Sequence, residues 1–252
     1  MDDQQLLRYS RHLLLNELGP DAQARFAAAH ALVVGTGGLG NPAAQFLASA
    51  GIGTITLVDA DVVDLTNLQR QILFAMDDVG RPKVEAAARR IAAINPEIRV
   101  VQVAQRVGAA ELAMLVAAAD VVLDCTDNFA TRHAINRACV AARKPLVSGA
   151  AIRFDGQLAV YDTRDATSPC YHCLFGEGDD LEETRCATMG VFAPLVGIVG
   201  ATQAAEALKL VAGIGRSLAG RLLLIDALSM EWREVRVPRD PACPVCSSRS
   251  GT

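Results

Sequence analysis

The sequence has no surplus of positive charge. Lys and Arg total 24 against 28 Asp and Glu in 252 residues, a formal net charge of −4. A general nucleic-acid binder needs excess cations to neutralise phosphates, so that class is set aside. A long hydrophobic run is also missing. The longest, "GVFAPLVGIVGA" (190–201), is shorter than the ~20 apolar residues that a bilayer-spanning helix needs. The N-terminus, "MDDQQLLRYSRHLLL", lacks the basic start, apolar centre and small-residue cleavage site of a secretion signal. These absences give the expectation of a soluble, cytoplasmic protein with no nucleic-acid or membrane partner. Repeats, low-complexity tracts and clean linkers are absent too, so residues 1–252 read as one domain, and 51% hydrophobic residues suffice for a core.

The chain does carry a regular alternation of strand and helix patterns. Residues 4–15 predict an amphipathic helix, with Leu6, Leu7, Leu14 and Leu15 at helical spacing and Arg8 and Arg11 on one face. "ALVVG" (31–35) predicts a buried parallel strand, Asn41 to Ala50 a helix, and "TITLVD" (54–59) a second strand, which together make a βαβ unit. Helices over 81–96, 109–119 and 130–143 alternate with strands over 97–104, 120–128 and 145–151. After 152 the pattern changes. "QLAVYDT", "RLLLIDA" and "EWREVRVP" suit antiparallel or edge strands, 193–212 a long small-residue helix, and the polar, acidic 176–190 a mobile loop. The expected fold is α/β and Rossmann-like: a mostly parallel sheet with helices on both faces, then an antiparallel C-terminal extension. The nucleotide-binding part is expected at about 31–151 and the rest at 152–252.

"GTGGLG" (35–40) fits G-x-G-x-x-G between a strand and a helix, so Gly35, Gly37, Gly38 and Gly40 mark a phosphate-binding turn. Asp59, 24 residues after Gly35, stands where a carboxylate accepts ribose hydroxyls. NAD is the default ligand of such a turn, but the next segment argues against it. Asn67, Gln69, Arg70 and then Lys83 put cations and amides near the turn, which suits a triphosphate better than a pyrophosphate. No hydride-transfer acid/base residue or nicotinamide subdomain is evident. "LDCTDN" (123–128) places Asp124 and Asp127 at the end of a strand, where ligands of open α/β sheets bind. Asp127, beside the helix start at Asn128 and Thr131, is favoured over Asp124 as a magnesium ligand, and Asp124 as a turn cap.

Seven cysteines in a reducing compartment are not a disulfide framework. "CYHC" (170–173) and "CPVC" (243–246) supply two knuckles, so Cys170, Cys173, Cys243 and Cys246 predict a tetrahedral structural zinc site. The competing reading is a redox pair, but neither CxxC opens a helix at a βαβ start. His172 reads as solvent-facing or as a neighbour of the ligands, and Cys125 and Cys139 as small buried hydrophobes.

Taken in order, "GTGGLGNPAAQFLASAGIG", "LVDADVVDLTNLQRQILF", "GRPKVE", "VLDCTDN", "PCYHC" and "CPVC" resemble the ubiquitin-activating-type adenylyltransferases of bacteria over essentially the whole chain. The resemblance implies ATP, magnesium and zinc. It implies activation of the C-terminal Gly-Gly carboxylate of a ubiquitin-fold sulfur carrier as an acyl-adenylate, with pyrophosphate released. By the same resemblance Gly38 lies in the phosphate loop, Asp59 holds ribose, Asn67, Arg70 and Lys83 surround the phosphates, and Asp127 holds magnesium. Arg11 matches an arginine inserted into the partner subunit's site, which implies a homodimer. Cys186, beside Arg185, matches a cysteine that in some members accepts sulfur or the carrier, which would bring a cysteine desulfurase or sulfurtransferase as a partner. "SGAAIR" (148–153) and "APLVGIVG" (193–200) lean toward the branch acting on the carrier subunit of molybdopterin synthase. The thiamine-pathway carrier is the alternative, and no rhodanese-like stretch follows Cys246. A non-catalytic zinc scaffold is a third class, opposed by Arg70, Lys83 and Asp127.

Overall fold

The computed structural model describes residues 1–177 and 189–248. Five strands, β1 (His30–Val34), β2 (Thr54–Val58), β3 (Arg99–Val103), β4 (Val121–Asp124) and β5 (Leu146–Ile152), run parallel. Three more, β6 (Asp155–Tyr161), β7 (Arg221–Asp226) and β8 (Glu231–Arg236), extend the same sheet antiparallel. The order is β3-β2-β1-β4-β5-β6-β7-β8. The expected α/β architecture and its antiparallel C-terminal extension are both present.

The short apolar runs are buried on both faces because helices cover both. Side chains alternate across a strand. Ala31 and Val33 of β1 enter one core, with Phe26, Leu47, Ile91 and Val199. Leu32 and Val34 enter the other, with Val116, Ile135 and Cys139. The first face is packed by α3 (Gly19–Ala28), α4 (Gly40–Ala50), α5 (Lys83–Ile94) and α9 (Ala193–Ala212), the second by α6 (Ala109–Ala118) and α7 (Phe129–Ala142).

One reading is corrected. The helix predicted over 4–15 is two short ones, α1 (Asp3–Arg8) and α2 (Ser10–Leu13), because Tyr9 leaves helical geometry at φ −97°, ψ 10°. Tyr9 is buried, and its hydroxyl accepts a hydrogen bond from Asn95 Nδ2 at 2.9 Å, an anchor worth more than one helical turn at a chain end. Leu6, Leu7, Leu14 and Leu15 are all exposed, so this apolar stripe is not spent on the chain's own core. The helix predicted over 193–212 is present as α9, and its 20 residues meet the length and hydropathy of a membrane span. Buried Gln203 and Glu206 and its packing against α4, β5 and β6 make it a core helix. α3 lies in a stretch where the pattern predicts no element.

Candidate active site

The strand order reverses between β1 and β4, since the chain leaves β1 toward β2 and returns on its other side. That crevice, at the C-terminal ends of the strands, is where open α/β sheets bind ligands. It holds a cavity of about 1320 Å³ that runs on past β6 to Leu224, Asp226 and Arg233. Gly35, Gly37, Gly38, Asp59, Asn67, Arg70, Lys83 and Asp127 all line it.

The glycine turn is built by close approach. Gly35 has φ +91°, and a Cβ there would stand 2.7 Å from the Cys125 carbonyl oxygen. A Cβ on Gly40 would collide with the Gly35 carbonyl. These two glycines therefore shape the turn, while Gly37 and Gly38 face the cavity. α4 begins just behind with no side-chain cap, so its first N–H groups and positive dipole end favour an anion in the crevice. Asn41, wholly buried, ties this turn to the next segment. Its Nδ2 donates to Thr36 O at 2.6 Å, and its Oδ1 accepts from Leu73 N at 2.8 Å.

Asp59 is held by three donors: Thr36 N at 2.8 Å, Thr36 Oγ1 at 3.0 Å and Asp61 N at 2.9 Å. A carboxylate has about four lone-pair sites, so capacity for a hydroxyl remains. Lys83 is buried at the helix start and pairs with exposed Asp61 at 2.8 Å. Asn67 spends its Oδ1 on Asp64 N at 3.1 Å, closing a short 3-10 turn, and Arg70 Nη1 donates to Thr66 O at 3.1 Å. Beside them Gln71, not Gln69, lines the cavity. Gln71 is buried, its Oε1 has no hydrogen-bond partner, and Gln69 is exposed.

The two aspartates at the end of β4 and just beyond it differ in burial. Asp124 is fully buried, accepting from Thr126 N at 3.0 Å, Thr126 Oγ1 at 2.7 Å and Ser148 Oγ at 2.8 Å. Asp127 is exposed at the cavity wall, just before Asn128, which caps α7 by accepting from Thr131 N at 2.9 Å. A residue with an exposed carboxylate at that place fits a hard cation shared with phosphate oxygens.

Sequence reasoning passed over Arg132. It is buried one turn into α7, donates from Nη2 to Thr126 O at 2.6 Å, and lines the cavity beside Asp124. The signal was available: a cation on the first turn of a helix that starts at a ligand-binding strand end. Arg106 and Arg233 also line the cavity. Arg11 is exposed on α2 and does not reach the cavity of its own chain.

The four knuckle cysteines converge, joining the stretch at 170–174, which includes α8 (Tyr171–Leu174), to the C-terminal segment. Sulfur separations are 3.7 Å for Cys170–Cys243, 3.9 Å for Cys170–Cys173 and 3.5 Å for Cys173–Cys246. Four thiolates placed tetrahedrally at zinc–sulfur distances stand about 3.8 Å apart, and a disulfide would need about 2 Å. The cluster fits a tetrahedral metal ion. Within the cluster, hydrogen bonding with Cys170 draws the Cys173 thiol below its ordinary range. His172 is not among the four, and its Nδ1 is buried rather than in solvent. Cys125 and Cys139 are buried, and that burial pushes both thiols well up and out of reactive range. Cys186 and most of the loop expected at 176–190 lie outside the described residues.

This geometry agrees with the comparisons to known proteins. The ThiF family model matches residues 9–245. The molybdopterin-synthase adenylyltransferase of Escherichia coli is 46% identical over 249 residues, 98% of either chain. The sulfur carrier protein ThiS adenylyltransferase of the same organism is 46% identical over 246 residues, 98% of this chain and 97% of its own. A crystal structure of E. coli MccB with AMPCPP and MccA superposes with a TM-score of 0.84 at 28% identity, covering 96% of this chain and 74% of that one. With the fold, the glycine turn and the family match in agreement over nearly its whole length, the chain belongs to the ThiF family.

Proposed function

We propose that the protein is an ATP-dependent adenylyltransferase that activates the C-terminal Gly-Gly carboxylate of a ubiquitin-fold sulfur carrier. The observation that carries this is the cavity itself. An uncapped helix N-terminus, a glycine turn, Lys83 and Arg70 surround the space for a triphosphate, with Asp59 placed for ribose and Asp127 for a cation. The cavity's continuation toward Gln157, Leu224 and Arg233 offers an extended tail a way to the α-phosphate.

The reaction needs no general base, because the carboxylate is ionised at neutral pH. It attacks the α-phosphorus, the bond to the bridging oxygen breaks, and pyrophosphate leaves with the electron pair. The obstacle is repulsion between anions and their alignment, so the chain's contribution is positional and electrostatic. Asp59 fixes the nucleoside and the Gly37–Gly38 turn holds the phosphates. Lys83 and Arg70 offset charge as it develops on the leaving group. Asp127 would hold magnesium, which supplies charge neutralisation on the phosphates when bound. The four cysteines would hold structural zinc.

The molybdopterin-pathway carrier is the proposed substrate and the thiamine-pathway carrier the alternative. The two adenylyltransferases compared above are equally similar to this chain at 46%. The deciding assay is ATP–pyrophosphate exchange with each purified carrier, side by side. Exchange with one carrier at least tenfold faster assigns the branch. No exchange with any Gly-Gly carrier, together with NAD-dependent turnover, would sink the reading.

The active form is proposed to be a homodimer in which Arg11 of one subunit enters the other's cavity, and the exposed Leu6, Leu7, Leu14 and Leu15 stripe beside it needs a cover. Arg11→Ala and Asp127→Ala are each expected to be inactive. After subunit exchange a mixture should recover about a quarter of wild-type exchange, because half the dimers are mixed and each has one intact site. A mixture as inactive as its parents would rule out the shared site.

A further inference from the structure

A second group of ligand-type side chains lies outside the adenylation cavity and outside the four-cysteine cluster. His133 on α7, His172 on α8 and Glu177 offer one ligand atom each within 4.8 Å of one another. Both imidazole Nδ1 atoms are buried and lack a hydrogen-bond partner. Buried polar atoms in native folds are almost always satisfied, so two orphans within one such cluster require a cause. The ring planes meet edge to face at 5.6 Å between centroids, and His133 Nδ1 stands 3.6 Å from Glu177 Oε1. That distance is too long for a hydrogen bond. It is close to the ~3.3 Å that separates nitrogen and oxygen ligands placed tetrahedrally around zinc.

We propose that His133, His172 and Glu177 form a second metal site, for a borderline divalent ion of the first transition row such as zinc. Two imidazoles and a carboxylate are a complete three-ligand set that leaves the fourth position to water. The surroundings suit it. Burial keeps His133 below the usual histidine range, against the opposing pull of Glu177. Arg137 pairs with the same Glu177 Oε1 that stands near His133, and so fixes the carboxylate beside the imidazole. Tyr171 packs edge-on against His133 with centroids 5.2 Å apart and fixes the ring. The ion would tie α7 to α8.

The test is a count of metal in the holoprotein. Protein holding its four-cysteine metal is dialysed without chelator and titrated with zinc chloride by calorimetry, and bound metal is measured by elemental analysis. Wild type should take up one further equivalent per chain. Glu177→Gln, at a half-exposed side chain, should weaken that uptake by more than about tenfold. The double variant His133→Asn/His172→Asn should lose it and keep the first equivalent. Cobalt supplied instead should show weak visible d–d bands without a thiolate charge-transfer band. Wild type that binds no second equivalent overturns the site, as do a folded double variant that still binds it and a second cobalt with thiolate absorption. If the double variant fails to fold, the wild-type count and Glu177→Gln still decide.

Discussion

Asp127→Ala is expected to lower carrier-dependent ATP–pyrophosphate exchange by about 10²–10³-fold, the usual cost of deleting one preorganised charge-stabilising group. Its thermal midpoint should barely move. The side chain is exposed, and surface substitutions away from special features fall within about 0.5 kcal/mol. Asp124→Asn should behave in the opposite way. Three donors converge on that buried carboxylate, from Thr126 N, Thr126 Oγ1 and Ser148 Oγ, with the Arg132 guanidinium nearby. An amide would turn a donor toward at least one of them and remove one of the carboxylates near the buried Arg132. The cost should be about 1–3 kcal/mol of stability, the penalty for buried hydrogen bonds left unmade. Exchange rate and denaturation midpoint measured on both variants separate the two roles. If Asp127→Ala exchanges ATP normally, or if Asp124→Asn is the stable and inactive one, the two aspartates have been assigned the wrong way round.

The contrast also shows which parts of the site a sequence can reveal. The glycine turn and Asp59 are legible because their geometry is local: a strand, a turn and a helix within 30 residues fix them. The parallel strands are legible because burial on both faces forces short, continuous apolar runs. What was not legible depends on distant partners. Gln203 of α9 donates to Asp124 O at 2.8 Å and Val147 O at 3.2 Å, pinning the end of β4 from far along the chain. No pattern near Asp124 announces it. Tyr9 breaks the first helix because Asn95 waits for its hydroxyl, 86 positions away. His172 could be weighed only against the cysteines flanking it, since its neighbour His133 comes from another helix. Arg11 is the reverse case. Its position on an exposed helix says nothing of catalysis, and only the family resemblance gives it a role.

Removing metal from the four-cysteine cluster should have the largest effect on the fold. Among the described residues after β8, burial is confined to Val237, Cys243 and Cys246. Among the described residues, Val140 and Val245 are the hydrophobic side chains packed against the cysteines. So little apolar contact cannot hold a terminal segment, whereas structural zinc ligation is worth roughly 10 kcal/mol. Chelation, or Cys243→Ser, should therefore release residues 238–248 and make the chain cleavable after Arg239. Arg239 is otherwise held by Nη2 donating to Cys246 O at 2.6 Å, a bond that depends on the same knuckle. The nucleotide cavity draws no lining residue from this segment, so KM for ATP should stay within about twofold while the carrier-dependent rate falls with the folded fraction. A redox pair would behave differently. Chelator would leave the segment protected, mild oxidation would close Cys170 to Cys173, and reduction would restore the starting state. Limited proteolysis after chelation, read beside thiol counting, separates these outcomes. A segment that stays protected after its metal is gone would show that packing, rather than ligation, fixes the end of the chain.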